Sequence, residues 1–293
     1  MLCNFPPLSN QAEKKASASG GFLSGVFGGG SSYRFEEAAE LYIQAANAFR
    51  LQKEYRSAGQ AFEKAAQCQQ KTESKDDAAN TLVEAYKSYR SSEPQDAVRV
   101  LEQAIHLFTL RGQFRRAANY QMDLGEVYES ELSEAAKAIE AYDNAGEWFS
   151  QDQAESLSNK AFLKAADLSA LQGSYSTAVE RYERVAKQSL NSPLSKWSLK
   201  EYFLKSTLCR IAEKDTIAAE RSLDQYIEWD NTFGTTKECQ LCQDLINAVK
   251  EGDEQEYTNK LWAFDQFSKL DKWKVTITLR IKEQIHTAED DLL

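Results

Sequence analysis

Histidine is almost missing from this 293-residue chain, which has only His106 and His286. No Ser, Cys or Asp motif accompanies either, so the chain has little to work with for acid–base catalysis. Proline is nearly as scarce, four in all, and two of these stand together at Pro6-Pro7. The pair excludes a helix through position 7, with room for a short one after it, and leaves the middle of the chain almost free of helix breakers. Cysteine is sparse and odd in number: Cys3, Cys68, Cys209, Cys239 and Cys242 form no disulfide framework. Cys239 and Cys242 make a C-x-x-C, but with no second pair and on a predicted helix it argues against zinc and against a thioredoxin-like site. Gly28-Gly29-Gly30-Ser31 lacks the Gly-Lys-Ser/Thr ending and the preceding strand of a phosphate loop. No cofactor or metal is expected. No apolar run of 18 residues is present, so no transmembrane helix is predicted. The first residues do not read as a secretory signal either, and the chain reads as cytoplasmic. A net charge of −10 argues against general nucleic-acid binding, which needs a basic footprint.

What is present is a repeat. A small residue is followed four positions on by a large one, and three further on by another small or apolar one. The pattern reads Ala38-Tyr42-Ala45, Ala58-Phe62-Ala65, Ala78-Leu82-Ala85, Ala97-Leu101-Ala104 and Ala117-Gln121-Leu124. It continues as Ala138-Tyr142-Ala145, Ser158-Phe162-Ala165 and Ala178-Tyr182-Val185. Its first residues step by 20, 20, 19, 20, 21, 20 and 20. Spacing of i, i+4, i+7 puts three side chains on one helical face. One helix and one turn per step make an all-α, TPR-like solenoid of antiparallel hairpins, each burying its face against its neighbours. Such a stack should be elongated. Ser and Asp residues near several helix starts are expected to cap them.

The flanks differ. Residues 20–30 bracket Phe22, Leu23, Val26 and Phe27 with glycines, an exposed loop whose apolar side chains are costly in water. After Asn191-Ser192-Pro193 the register weakens, and helices over 237–250, 254–268 and 272–288 lack the 20-residue step; they read as a helical-bundle cap. Four segments follow: 1–34 with the apolar loop, 35–190 with the repeats, 191–288 with continuing helices and the bundle, and 289–293, an acidic-dileucine tail. Lys53, Arg90, Arg115, Arg116, Lys160, Lys164 and Lys200 fall near helix ends or on polar faces, where a stripe competes with ordinary solvated surface. The last third is acidic, with Asp244, Glu251, Asp253, Glu254, Glu256, Glu283 and Glu289 to Asp291, and this asymmetry suggests two different partners.

Several stretches together carry a family resemblance: residues 20–35 (GGFLSGVFGGGSSYRF), 111–118 (RGQFRRAA), 145–151 (AGEWFSQ), 192–208 (SPLSKWSLKEYFLKSTL), 264–281 (FDQFSKLDKWKVTITLRI) and the terminal Glu-Asp-Asp-Leu-Leu. From about Gln11 to its end the chain resembles the alpha-SNAP family of soluble NSF attachment proteins. The resemblance implies a twisted sheet of helical hairpins with a C-terminal bundle, acting as a non-enzymatic adaptor. Several copies wrap an assembled four-helix SNARE bundle of syntaxin-like and other SNAREs and present it to the hexameric AAA ATPase NSF. It implies SNARE contacts at Lys53, Arg90, Lys160, Lys164, Lys200 and Lys237, with Gln113 at a further basic site and Arg115 and Arg116 close by. It implies membrane contact through Phe22, Leu23, Val26 and Phe27, hence peripheral membrane association. NSF contacts fall on Asp215, Glu251 and the tail, Asp290, Asp291, Leu292 and Leu293. The family's Leu- and Ala-rich opening helix is replaced by Phe5-Pro6-Pro7, and no function is assigned to residues 1–10.

Two other classes compete. A generic TPR-like peptide scaffold or co-chaperone expects a carboxylate clamp in a narrow concave groove and no need of the dileucine. An endosomal sorting signal at the tail wants an acid four residues before Leu292, where Ala288 stands.

Overall fold

A computed structural model describes residues 6–17, 30–72, 75–190, 192 and 196–290. The apolar loop at Phe22, Leu23, Val26 and Phe27 and the tail residues Asp291, Leu292 and Leu293 lie outside these residues, as do the side chains of residues 287–290. Among the described residues there are fourteen α-helices and no strand. In chain order they are α1 (Pro6–Ser17), α2 (Gly30–Leu51), α3 (Tyr55–Gln69), α4 (Lys75–Tyr89), α5 (Pro94–Leu110), α6 (Phe114–Ser130) and α7 (Ala135–Gln151). Then come α8 (Glu155–Leu171), α9 (Tyr175–Ser189), α10 (Leu199–Ala212), α11 (Thr216–Trp229), α12 (Lys237–Glu251), α13 (Glu254–Phe267) and α14 (Lys272–Asp290). Contacts divide the chain into two compact units, Met1–Asp152 and Gln153–Leu293. The repeat pattern runs on through α8 and α9 of the second unit.

Every residue of the eight repeat triplets is buried, the most exposed being Gln121 at 9%. The alanines at 0% exposure let neighbouring helices approach closely, and Tyr42, Phe62, Leu82, Leu101, Tyr142, Phe162 and Tyr182 fill the space between them. Burying one such large side chain contributes about 1.5–3 kcal/mol. The approach is close enough to require glycine twice: a Cβ on Gly59 would lie 2.5 Å from the Tyr89 ring, and one on Gly125 would lie 2.6 Å from Tyr142.

Two expectations are corrected. Helix α1 begins on Pro6 itself, before the position-7 limit read from the sequence; first-turn residues have no carbonyl four back to bond, so proline costs nothing there. Of the repeat helices, α3 and α5 to α9 are also not capped by Ser or Asp side chains, while Ser74 before α4 lies outside the described residues. Glu54, Glu93, Gln113, Glu134, Ala154 and Ser174 stand at the N-caps, and none accepts a side-chain cap bond. The turns close through backbone instead. The residue before the cap is often left-handed (Lys53, Gly112, Ser133, Gln153 and Gly173), and the cap N–H returns to a carbonyl of the finished helix. Glu54 N reaches Phe49 O at 2.9 Å, Gln113 N reaches Phe108 O at 2.9 Å, and Ser174 N reaches Ser169 O at 2.9 Å, a Schellman-type closure.

Side-chain caps appear in the second unit: Asp215 on Ala218 N, Thr236 on Cys239 N and Asp253 on Glu256 N. Its core joins Phe203, Tyr226 and Phe233 to Tyr257, Ile277 and Ile281. Helix α14 is tied to earlier helix ends: Trp273 Nε1 donates to Asp167 O at 3.0 Å, Arg280 donates to Ala170 O and Leu171 O, and Gln284 donates to Ala212 O.

Candidate interaction surface

Short turns alternate the helix directions, so even-numbered and odd-numbered helices face opposite sides of each unit. Three polar links between helices two apart follow this division in the first unit. Arg50 of α2 meets Glu84 of α4 at 2.7 Å, and Arg116 of α6 meets Asn80 of α4 at 2.6 Å on the even side. On the odd side Arg99 of α5 meets Glu63 of α3 at 2.7 Å.

The basic candidates of the first unit belong to the even side but split between its two edges. Lys53, in the turn after α2, and Arg90, at the end of α4, share one edge; Arg115 and Arg116 open α6 at the other. Lys53 is exposed and makes no ion pair with the described residues. Arg90 is held by Glu126 at 3.2 Å and Glu131 at 3.3 Å. Burial disfavours its charge, yet Tyr86 and these two carboxylates outweigh that and hold its pKa above the usual value. Arg115 meets Asp152 at 3.4 Å, and Arg116 stacks over the Phe108 ring at 4.3 Å.

In the second unit Lys160, Lys200 and Lys237 stand in the N-terminal halves of α8, α10 and α12, on one edge of the even side, and Lys164 lies one turn further along α8, just past its middle. Lys160 and Lys237 are exposed and form no ion pair with the described residues. Lys200 pairs with the buried Glu238 at 2.8 Å. Lys237 sits at the positive end of α12, where a local cation is unfavourable, so an incoming anion is favoured there. Beside Lys200 lies a residue to which sequence reasoning gave no role: Trp197 is 84% exposed and lines a cavity of about 420 Å³ with Lys196, Lys200 and Phe233. Its signal was an aromatic on a helix start in poor register.

The acidic third is less open than its composition suggests. Asp244 and Glu256 pair with Lys260, Glu254 pairs with Lys282 and His286, and Asp253 is a cap. Asp215 likewise caps α11, which gives it a structural task of its own. Glu251 is exposed at the end of α12, and Asp290 ends α14.

Cys239 and Cys242 are buried in the core face of α12, and burial pushes both thiols up, away from reactivity. Among the described residues no three His, Cys, Asp or Glu gather to hold a metal. Among them also no helix is long and apolar enough to cross a membrane. The carboxylate clamp expected of a co-chaperone is not formed in the groove between α5 and α7: Arg99 is neutralised by Glu63 and Asp96, and Lys137 by Glu134.

The family model described as "Soluble NSF attachment protein, SNAP" matches residues 6–286. A probable vesicular-fusion protein sec17 homolog of Schizosaccharomyces pombe is 52% identical over 292 residues, covering 100% of each chain. The alpha-soluble NSF attachment protein of Saccharomyces cerevisiae is 49% identical, covering 98% of each. That of Homo sapiens is 38% identical, covering 96% of this chain and 95% of its own.

Proposed function

Because the chain belongs to the soluble NSF attachment protein family, a family of non-enzymatic adaptors of vesicular fusion, we propose that it binds assembled SNARE bundles and recruits and stimulates NSF for their disassembly. The observation that carries this reading is the lysine edge of the second unit: Lys160 and Lys237 stand exposed and form no ion pair with the described residues, beside Lys164 and Lys200. A row of cations on successive parallel helices suits an elongated acidic partner such as a four-helix bundle. Lys53, Arg90, Arg115 and Arg116 are the cationic candidates of the first unit. Arg90 and Lys200 must give up carboxylates already held, so they contribute less than the open lysines. Trp197 adds an apolar contact beside them.

Recruitment of NSF falls to the acidic end: Glu251, Asp215 beyond its capping bond, and the tail Asp290, Asp291, Leu292 and Leu293. Phe22, Leu23, Val26 and Phe27 make the peripheral membrane contact. Two buried Phe side chains supply roughly 3–6 kcal/mol there, enough for reversible association.

The test is a pull-down with assembled SNARE bundle and with single SNARE helices, at low and moderate salt. The assembled bundle should be retained preferentially, and retention should fall as salt rises. Lys160→Glu with Lys164→Glu should weaken it about tenfold or more while leaving the melting temperature unchanged. Normal retention by that double variant at moderate salt would return both lysines to ordinary solvated surface.

A further inference from the structure

In seven of the eight repeats the middle of the triplet is Tyr, Phe or Leu; in α6 it is Gln121. Gln121 is 9% exposed, and its buried Oε1 has no hydrogen-bond partner among the described residues. A buried acceptor without a donor destabilises a fold, so an amide where Leu82 and Leu101 serve other repeats calls for a reason. Gln121 lies at the floor of a cavity of about 810 Å³, walled by α5 and α7 over α6. This groove opens on the odd side of the first unit, away from Arg90, while Arg115 and Arg116 adjoin it only beyond Phe114 and Trp148.

The lining has a definite charge preference. Its cations are already held: Arg99 by Glu63 at 2.7 Å and Asp96 at 2.8 Å, Lys137 by Glu134 at 2.5 Å. Two of its carboxylates are open. Among the described residues Glu102 accepts the Tyr128 hydroxyl at 2.8 Å and forms no ion pair, although Lys137 is near enough to feel its charge, and the exposed Glu140 forms no ion pair either. Towards the other end Phe114, 41% exposed, tilts against Trp148 with ring centroids 6.2 Å apart.

We propose that this cavity is a docking groove for an extended peptide segment of another protein, one carrying a Lys or Arg and an apolar side chain. The peptide's cation meets Glu102 and Glu140, a backbone N–H donates to Gln121 Oε1, and the apolar side chain packs against Phe114 and Trp148. A carboxylate-rich peptide is disfavoured, because along the lining it would face two open carboxylates and only cations already held. The groove therefore seeks chemistry opposite to that sought by the basic candidates on the even side.

A phage-displayed random nonapeptide library panned on the full chain tests this, with the selected consensus peptide synthesised and its Kd measured by fluorescence anisotropy. The expected consensus holds Lys or Arg together with an aromatic or aliphatic residue. Gln121→Leu restores the repeat pattern, so it should raise Tm while weakening the peptide about tenfold. Glu102→Gln with Glu140→Gln should weaken it by a similar factor and lessen its salt dependence. Glu180→Gln, exposed on α9 in the other unit, should change nothing. No enrichment, or an acidic consensus, overturns the proposal. So does a Gln121→Leu variant with a lowered Tm and unchanged peptide affinity, which would make the amide a structural group. Concentration-dependent dimerisation abolished by Gln121→Leu would assign the groove to a second copy of this chain and overturn the peptide.

Discussion

The two units are built on different rules, although α8 and α9 carry the same repeat as α2 to α7. In the first unit each helix packs on its sequence neighbours, the triplets supply the seam, and the turns before α3, α5, α6 and α7 are closed by backbone. In the second, α14 returns across 106 to 110 residues to bond the carbonyl ends of α8, and side-chain caps open α11, α12 and α13. The first unit's stability is accordingly close to a sum of neighbour terms, whereas the second has a closing element on which several helices depend. A linear stack tolerates local damage; a closed bundle does not.

The sharpest way to break this comparison is at the closing helix. Trp273 is 8% exposed, meets Tyr182 edge-on at 6.1 Å, lies under the Lys205 ammonium at 4.8 Å and donates to Asp167 O. Trp273→Ala should cost about 3–5 kcal/mol. Hydrogen exchange should accelerate through α8, α10 and α14, with the amides of α3 to α5 unchanged. Equal acceleration in both units would mean that α14 is not a local closure.

A smaller effect, confined to one seam, is expected in the first unit. Gly125→Ala pushes a methyl into the Tyr142 ring, which cannot swing away because it is fully buried and its hydroxyl is held by Glu129 at 2.7 Å. Overpacking of this kind costs about 1–3 kcal/mol. The loss should appear in α6 and α7 and fade by α3; a loss spread evenly over the unit would show that it is no sum of neighbours.

These features divide by how far apart in sequence their parts lie. The eight repeat helices were legible because each triplet repeats a local spacing, and the bundle helices were predicted to within one or two residues because Gly252-Asp253 and Leu270-Asp271 mark their ends. The turn chemistry was not, since a Schellman closure is made by backbone and accepts residues such as Lys53 and Ser133 that carry no turn signal. Nor was the state of the basic candidates. Arg90 and Lys200 look like Lys53 and Lys160 in sequence, but their carboxylates stand 36 to 41 residues away. The groove amide was visible as the one irregular triplet, and only burial made it informative.

The turns offer a gain in place of a loss. Ser133 and Lys214 hold φ of 56° and 66°, a region that side-chain-bearing residues adopt at a cost. Ser133→Gly in the first unit and Lys214→Gly in the second should each stabilise by about 0.5–1 kcal/mol, read from urea midpoints. A destabilising glycine at either turn would show that the lost side chain contributes more than the relief of its backbone.

The smallest effect separates the units by sign. Asp271 accepts the N–H of Lys274 at 2.8 Å and its ammonium at 2.9 Å, opening α14. Burial alone would raise its pKa, but these bonds and the nearby Lys205 outweigh that and hold it below the usual carboxylate range. A depressed folded pKa means stability that is present above about pH 4 and lost as pH falls through the folded value. Asp123 of α6 is the reverse: burial chiefly, aided by Glu126 against the pull of Arg90 and Lys87, holds it above the usual range. Its favourable contribution is complete below the ordinary carboxylate pKa and is lost as pH rises through the folded one. At pH 7, then, Asp271→Asn should destabilise by about 0.5–1 kcal/mol, the worth of a helix cap, and Asp123→Asn should stabilise modestly. Urea midpoints taken from pH 7 down to pH 3 should show both differences shrinking toward zero, one from below and one from above. Two differences of the same sign would mean that the acid limb of stability is a property of the whole chain and does not tell the closed unit from the open stack.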